Sequence, residues 1–315
     1  MAAAAAVMIT QVDAMAEIDK LEDNSVDCVI TDPPYFLDKL DTSWNLTKVE
    51  SERNSHITHL PKGMKFDKKQ VKALYDFYYE ISKKLIKKLK PGGYFLSFSA
   101  PRLYHAIAMA CEIAGFEVRD QINWVYTQSM PKGQGISHYI DRMDIEPAEK
   151  ARLKIEYQNL KTPQLKSCFE PICVAMKPCS GTFLSNELNY RTGLLNFGEK
   201  VGENKVPANV ITSENYDELY DKNFMIKKPS KAEKGSYNTH ITVKPVELLE
   251  HLIKLFSKEG SLILDPFMGS GTTAVVAKSL GRDYIGCELN EDYGNLIKKR
   301  IDEIGESKGL LDAFL

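Results

Sequence analysis

The run Ser25-Val26-Asp27-Cys28-Val29-Ile30-Thr31 stops abruptly on Asp32-Pro33-Pro34. A short β-branched, apolar run of this kind predicts a strand buried on both faces. Two successive prolines end it, because neither offers an N–H to a ladder. A strand buried on both faces needs helices above and below it, and the rest of the chain supplies the pattern. Apolar residues at Val71, Leu74, Tyr78, Ile81, Leu85 and Leu89 predict a helix over 69–90, closed by Pro91-Gly92-Gly93. A strand over 94–99, a helix over 102–114 and a strand over 117–126 follow. Further on come a strand over 170–176, helices over 246–256, 272–280 and 291–304, and strands over 261–264 and 283–287. Short elements over 8–13 (strand) and 14–22 (helix) precede them all. Strand and helix alternate, as in a parallel α/β sheet.

The 315 residues carry 43% hydrophobic and 27% charged side chains and a formal net charge of -2. This balance excludes a disordered chain, a collagen-like fibre and a disulfide scaffold. No stretch approaches 18 apolar residues, so no membrane span is expected. Residues 1–7, an alanine run without a basic flank, read as an extension ahead of Met8. The six cysteines lack C-x-x-C spacing. Reduced thiols in a cytoplasmic protein are expected, and no metal site.

Two motifs carry chemistry. Asp32-Pro33-Pro34-Tyr35 follows the first long strand, where ligands of open α/β sheets bind. The stiff turn offers mainly acceptors, a carboxylate and backbone carbonyls, which suit a substrate group with two N–H hydrogens. Tyr35 adds a flat face. Asp265-Pro266-Phe267-Met268-Gly269-Ser270-Gly271-Thr272-Thr273 lies between a strand and a helix. Its glycines allow close backbone approach, and the helix N-terminus suits an anion. Glu288 ends the next strand, where an acidic residue commonly takes ribose hydroxyls. A nicotinamide dehydrogenase would need a third glycine where Ala274 stands.

Together these motifs resemble the S-adenosylmethionine-dependent DNA amino-methyltransferases acting on adenine N6 or cytosine N4. The order, Asp-Pro-Pro-Tyr before the glycine motif, is similar to the beta subgroup. Gln11-Val12-Asp13, the segment from Asn238 to Pro245, and Tyr284-Ile285-Gly286-Cys287-Glu288 resemble that subgroup's other cofactor segments. Pro131-Lys132 and the segment from Val206 to Val210 resemble phage-type members.

The resemblance implies a circularly permuted Rossmann-like α/β fold. Its sheet would be seven-stranded and mostly parallel, with residues 170–176 as the antiparallel strand. Residues 8–179 would form the catalytic half, with an insertion over 127–168. Residues 236–315 would form the cofactor half of the same domain, and 180–235 a target-recognition segment. Catalytic roles fall on Asp32, Pro33, Pro34 and Tyr35. Asp13, Thr242, Lys244, Asp265, Phe267, Gly269, Ser270, Gly271, Thr272 and Glu288 would hold S-adenosylmethionine. Asp32 and the Pro33 carbonyl would accept the amine hydrogens of a base flipped from double-stranded DNA, with Tyr35 stacked on it.

The implied activity is methylation of adenine N6. The alternatives are cytosine N4, where the family more often carries Ser in place of Asp, and a non-catalytic DNA-binding protein on the same fold. A homodimer and a separate restriction endonuclease are partners known for such proteins.

Several other residues bear on these expectations. Lys227, Lys228, Lys231 and Lys234 are read as DNA backbone contacts. Lys83, Lys84, Lys87 and Lys88 are read as a solvated helix face, and His56 and His59 as loop residues. Trp124 is assigned to the core. Residues 36–66 are expected to form a mobile loop that closes over the base. Charge is unevenly spread: residues 61–90 hold 10 Lys against 3 Asp+Glu, and residues 11–41 hold 9 Asp+Glu against 2 Lys. This predicts a basic DNA-facing surface backed by an acidic side.

Overall fold

The computed structural model describes residues 7–10, 14–33, 68–126, 133–163, 165–199, 206–212, 224–225 and 243–306. Among them a single sheet organises the chain. Its strands are β1 (Val7–Thr10), β2 (Val26–Thr31), β3 (Leu89–Phe98), β4 (Glu117–Val125), β5 (Phe169–Met176), β6 (Val210–Thr212), β7 (Phe224–Met225), β8 (Leu262–Asp265) and β9 (Asp283–Glu288). The order across the sheet is β1-β9-β8-β2-β3-β5-β4-β6-β7. Seven of these strands make the expected mostly parallel sheet, with β5 antiparallel to both of its neighbours. Strands β6 and β7, of three and two residues, extend the β4 edge in parallel. They fall in a stretch where the sequence shows no periodicity. Val7, assigned above to an extension, is the first residue of β1 and sits opposite Ile285.

The helices are α1 (Ala14–Lys20), α2 (Lys68–Lys88), α3 (Tyr104–Ile113), α4 (Ser137–Asp141), α5 (Pro147–Glu156), α6 (Phe183–Tyr190), α7 (Val246–Phe256), α8 (Thr272–Ser279) and α9 (Glu291–Glu306). Two cores lie on opposite faces of the sheet. Val29, Phe95 and Ala175 point into one, with Leu74, Tyr78, Ile81 and Leu85 of α2 and Ala106, Ile107 and Ala110 of α3. Cys28, Ile30, Leu96, Ile172 and Val174 point into the other, against Leu248, Leu252 and Phe256 of α7 and Ala274 to Ala277 of α8. The strict alternation of neighbours along β2 and β5 shows why these strands are apolar throughout: both faces are covered. Each large side chain so buried contributes about 1.5–3 kcal/mol relative to an exposed one.

One boundary departs from expectation. The helix α2 ends at Lys88, and Pro91-Gly92-Gly93 lies inside β3 rather than at the helix end. The carbonyls of Lys87 and Lys88 accept the N–H groups of Asn24 (3.0 Å) and Ser25 (2.9 Å), which lead into β2. The chain then pairs at once, Leu89 opposite Val26, and the Pro-Gly-Gly is absorbed as an irregularity before Tyr94 meets Cys28.

The charge segregation is also resolved differently. Lys84 pairs with Asp19 (2.5 Å), Lys88 with Asp23 (2.7 Å) and Lys90 with Asp27 (2.7 Å). The basic segment and the acidic start thus meet one another instead of facing opposite ways. Of the α2 lysines read above as a solvated helix face, Lys84 and Lys88 are held in these ion pairs. Trp124 is buried, edge-on to Tyr126 at 5.3 Å, as expected for a core residue. Trp44, His56, His59, the 36–66 loop and Lys227, Lys228, Lys231 and Lys234 lie outside the described residues.

Candidate functional site

Strand β2 pairs with β8 in parallel, Val29 beside Leu264, so the carboxyl ends of both strands open at the same place. Thr31, the last residue of β2, donates its hydroxyl to Asp265 Oδ1 at 2.7 Å. Asp265 closes β8, and the same oxygen accepts the Phe267 N–H at 3.1 Å. The carboxylate is buried, and burial pushes its pKa up to about 6 against the pull of those hydrogen bonds. The two sequence motifs are therefore wired together through one buried carboxylate.

From Asp265 the chain turns through Phe267 to Gly271 and enters α8. The Met268 N–H bonds back to the Cys287 carbonyl (2.9 Å), and the Gly271 N–H to the Met268 carbonyl (2.8 Å). Gly271 has φ +77, and a Cβ there would stand 2.7 Å from Ile297 of α9. Its bareness thus admits α9. Gly286, in β9 beside Asp265, is equally constrained: a Cβ would overlap Met268 Sδ at 2.1 Å. Phe267 stacks obliquely against Phe77 of α2 at 5.8 Å. Ser270 and Thr272 are buried within hydroxyl contact of one another (3.3 Å).

Arg300, on α9, carries no sequence signal of a role at this turn. Its buried guanidinium donates to the Ser270 carbonyl (2.6 Å) and the Thr272 hydroxyl (3.3 Å), clamping the turn from behind. It reads in sequence as one more charge on an amphipathic helix. Glu288 ends β9 as expected. Its carboxylate accepts the N–H groups of Gly269 and Asn290, both at 2.8 Å. Asn290 in turn caps α9 through the N–H groups of Asp292 and Tyr293.

Asp32 follows directly on Thr31. The Lys244 ammonium, two residues ahead of α7, is hydrogen-bonded to Asp32 Oδ2 and lies 3.4 Å from Glu170 Oε2 and 5.0 Å above the Phe98 ring. Burial alone would push the Lys244 pKa down. The carboxylates of Asp32 and Glu170 outweigh it and hold the pKa above its ordinary value. Lys244, expected among the cofactor contacts, is thus paired with Asp32. Glu170 was not singled out from sequence, because a lone acidic residue at the start of a strand carries no local signal of what it will face.

Pro33 is buried behind Asp32. Pro34, Tyr35, Asp13 and Thr242 lie outside the described residues. Among the described residues no group of three or more His, Cys, Asp or Glu could hold a metal ion.

The described residues present what an adenosine-bearing, zwitterionic cofactor needs. Glu288 offers acceptors for a diol, Lys244 a cation for a carboxylate, and the turn from Gly269 to Thr272 is fixed from behind by Arg300.

Over residues 26–299 the chain matches the DNA methylase family N6_N4_Mtase. It is 29% identical over 311 residues to the type II methyltransferase M.HindIII of Haemophilus influenzae, covering 92% of this chain and 93% of that protein. It is 25% identical over 301 residues to the DNA adenine methyltransferase YhdJ of Escherichia coli, covering 92% and 81%. Among solved structures, the M1.HpyAVI–SAM complex superposes with a TM-score of 0.52 at 21% identity, covering 94% of this chain and all of that one.

Proposed function

This chain belongs to the DNA methylase family, and from that premise we propose that it methylates N6 of an adenine flipped out of double-stranded DNA. The observation that carries the reading is the placement of Asp32 at the carboxyl end of β2, tied through Thr31 and Asp265 to the glycine turn. An Asp rather than a Ser at this position, and the likeness to an adenine methyltransferase, support adenine over cytosine.

S-adenosylmethionine supplies a methyl group already activated on a sulfonium, so the protein's task is chiefly positioning. Glu288 would hold the ribose hydroxyls. The turn from Phe267 to Thr272 would hold the rest of the cofactor, with Asp13, Thr242 and Lys244 completing its site. The adenine amine is a weak nucleophile because its lone pair is delocalised into the ring. Asp32 and the Pro33 carbonyl would accept its two hydrogens and localise that pair, with Pro34 keeping the turn stiff. Asp32 would then take the proton that the nitrogen sheds after transfer. Tyr35 would stack on the extruded base, whose unstacking costs a few kcal/mol.

Residues 8–179 and 236–315 act as one domain in this reading, and 180–235 read the target sequence. Lys227, Lys228, Lys231 and Lys234 contact DNA phosphates, which makes binding fall steeply with salt. The protein acts in the cytoplasm of a bacterial or phage-infected cell.

The test is to express the protein in a methylation-deficient host and sequence the modified bases. N6-methyladenine in one sequence context is expected. N4-methylcytosine would move the assignment to cytosine, and unmodified DNA together with no radiolabelled methyl transfer in vitro would overturn it.

A further inference from the structure

Strand β5 runs against its neighbours, so its first residues, not its last, reach the carboxyl edge where Asp32 stands. Glu170 is the second residue of that strand, in register with Trp124. Its Oε1 accepts the Tyr126 hydroxyl at 3.4 Å. Its Oε2 is buried, takes no hydrogen bond among the described residues, and lies 3.4 Å from the Lys244 ammonium. That ammonium is hydrogen-bonded to Asp32. One cation therefore stands between two carboxylates, engaged fully with one and within a short step of the other.

We infer that Glu170 is a positioning residue for methyl transfer: it receives Lys244 when Asp32 turns to the target amine. The inference rests on the reading of Asp32 as the amine's acceptor. A carboxylate held by an ammonium is a weaker acceptor for a neutral amine, because the cation draws negative charge away from its oxygens. Asp32 must loosen its grip on Lys244 to work. A mostly buried ammonium cannot simply be released, since an unpaired buried charge is strongly disfavoured. Glu170 offers the place it moves to, and the face of Phe98 stays with the cation in both positions. The negative charge of the pair is thereby passed to Asp32 as the amine arrives.

The experiment is single-turnover methylation of duplex DNA at saturating cofactor and DNA, using Glu170→Gln, Glu170→Asp, Lys244→Met and the Glu170→Gln/Lys244→Met double variant. Glu170→Gln should slow the methyl-transfer step about tenfold or more, and Glu170→Asp should recover part of the loss. Cofactor affinity of Glu170→Gln, by calorimetry, should stay within about threefold of wild type. In the Lys244→Met background the Glu170 change should alter the rate by less than about threefold, because no ammonium then needs a second partner.

A Glu170→Gln rate equal to wild type overturns the inference. So does an equal fractional loss in both backgrounds, or a loss found wholly in cofactor affinity. If the amide variant fails to fold, Glu170→Asp and its double with Lys244→Met carry the same comparison. A wild type that transfers no methyl overturns the role of Asp32 and this inference with it, whereas an active wild type and an unaffected Glu170→Gln overturn this inference alone.

Discussion

The Thr31 hydroxyl and Asp265 are 234 positions apart in sequence and 2.7 Å apart in the interior. Their hydrogen bond sets the spacing between the end of β2 and the glycine turn. It also stabilises a carboxylate that burial disfavours. The folded Asp265 holds its proton up to about pH 6, against 3.8 for the ordinary group. The native state therefore binds more protons than the unfolded state between these values, and its stability falls as pH rises through that window. Asp265→Asn should remove this dependence. Relative to the variant, wild-type unfolding free energy should decline by about 2 kcal/mol between pH 4 and 7. Denaturant titrations of both proteins across this range check it, and parallel curves would contradict it.

Asp32→Ala removes the acceptor for the amine but leaves Glu288, the glycine turn and Arg300 in place. Methyl transfer should drop by about a thousandfold or more. Cofactor affinity should change little, because Lys244 keeps Glu170 as a partner. Filter-bound radiolabel reports the first quantity and calorimetry the second. Full turnover by this variant would sink the role given to Asp32.

Gly286→Ala places a Cβ against Met268 at the glycine turn. Overpacking of this kind costs about 1–3 kcal/mol and should push Met268 off its seat. Met268→Ala should cost less in the Gly286→Ala background than in wild type, since the two changes share one volume. Thermal melts of the single and double variants test this; additive losses would show that the clash is not the cause.

Arg300→Met leaves the Ser270 carbonyl and Thr272 hydroxyl without their buried donor. A hydrogen bond to a charged group is worth about 1.5–3 kcal/mol, so stability should fall by that order. Cofactor affinity should fall with it, because the turn loses its backing. Denaturation and cofactor titration measure the two together. A loss of stability with unchanged affinity would make Arg300 a packing residue alone.

The two motifs and most helices were legible because their signals are local. The stripe on α2, the closely spaced apolar residues of α7 and the polyvalent glycine turn each announce themselves within a dozen residues. What was illegible depends on distant neighbours. Pro91-Gly92-Gly93 has the composition of a helix stop, yet it lies in β3 because Asn24 and Ser25 claim the helix's last carbonyls. Lys84 and Lys88 read as a basic patch until Asp19 and Asp23 arrive opposite them. That Gly271 must also be bare to admit Ile297 of α9 could not be read from the turn itself. Glu170 and Arg300 carry no local pattern; only the antiparallel course of β5 and the packing of α9 bring them to the site.

The pairing of β1 with β9 has a consequence for how the protein is made. A ribosome delivers Val7–Thr10 well before Asp283–Glu288. Strands β2, β3, β4 and β5 are contiguous in the sheet and can pair with one another as soon as β5 is delivered, while translation continues. β1 must wait for β9, and so must the turn that precedes α8, which bonds to Cys287 and Glu288. The half that would receive the base can be assembled early. The half that would supply the methyl group closes last, so an unfinished chain carries no complete site.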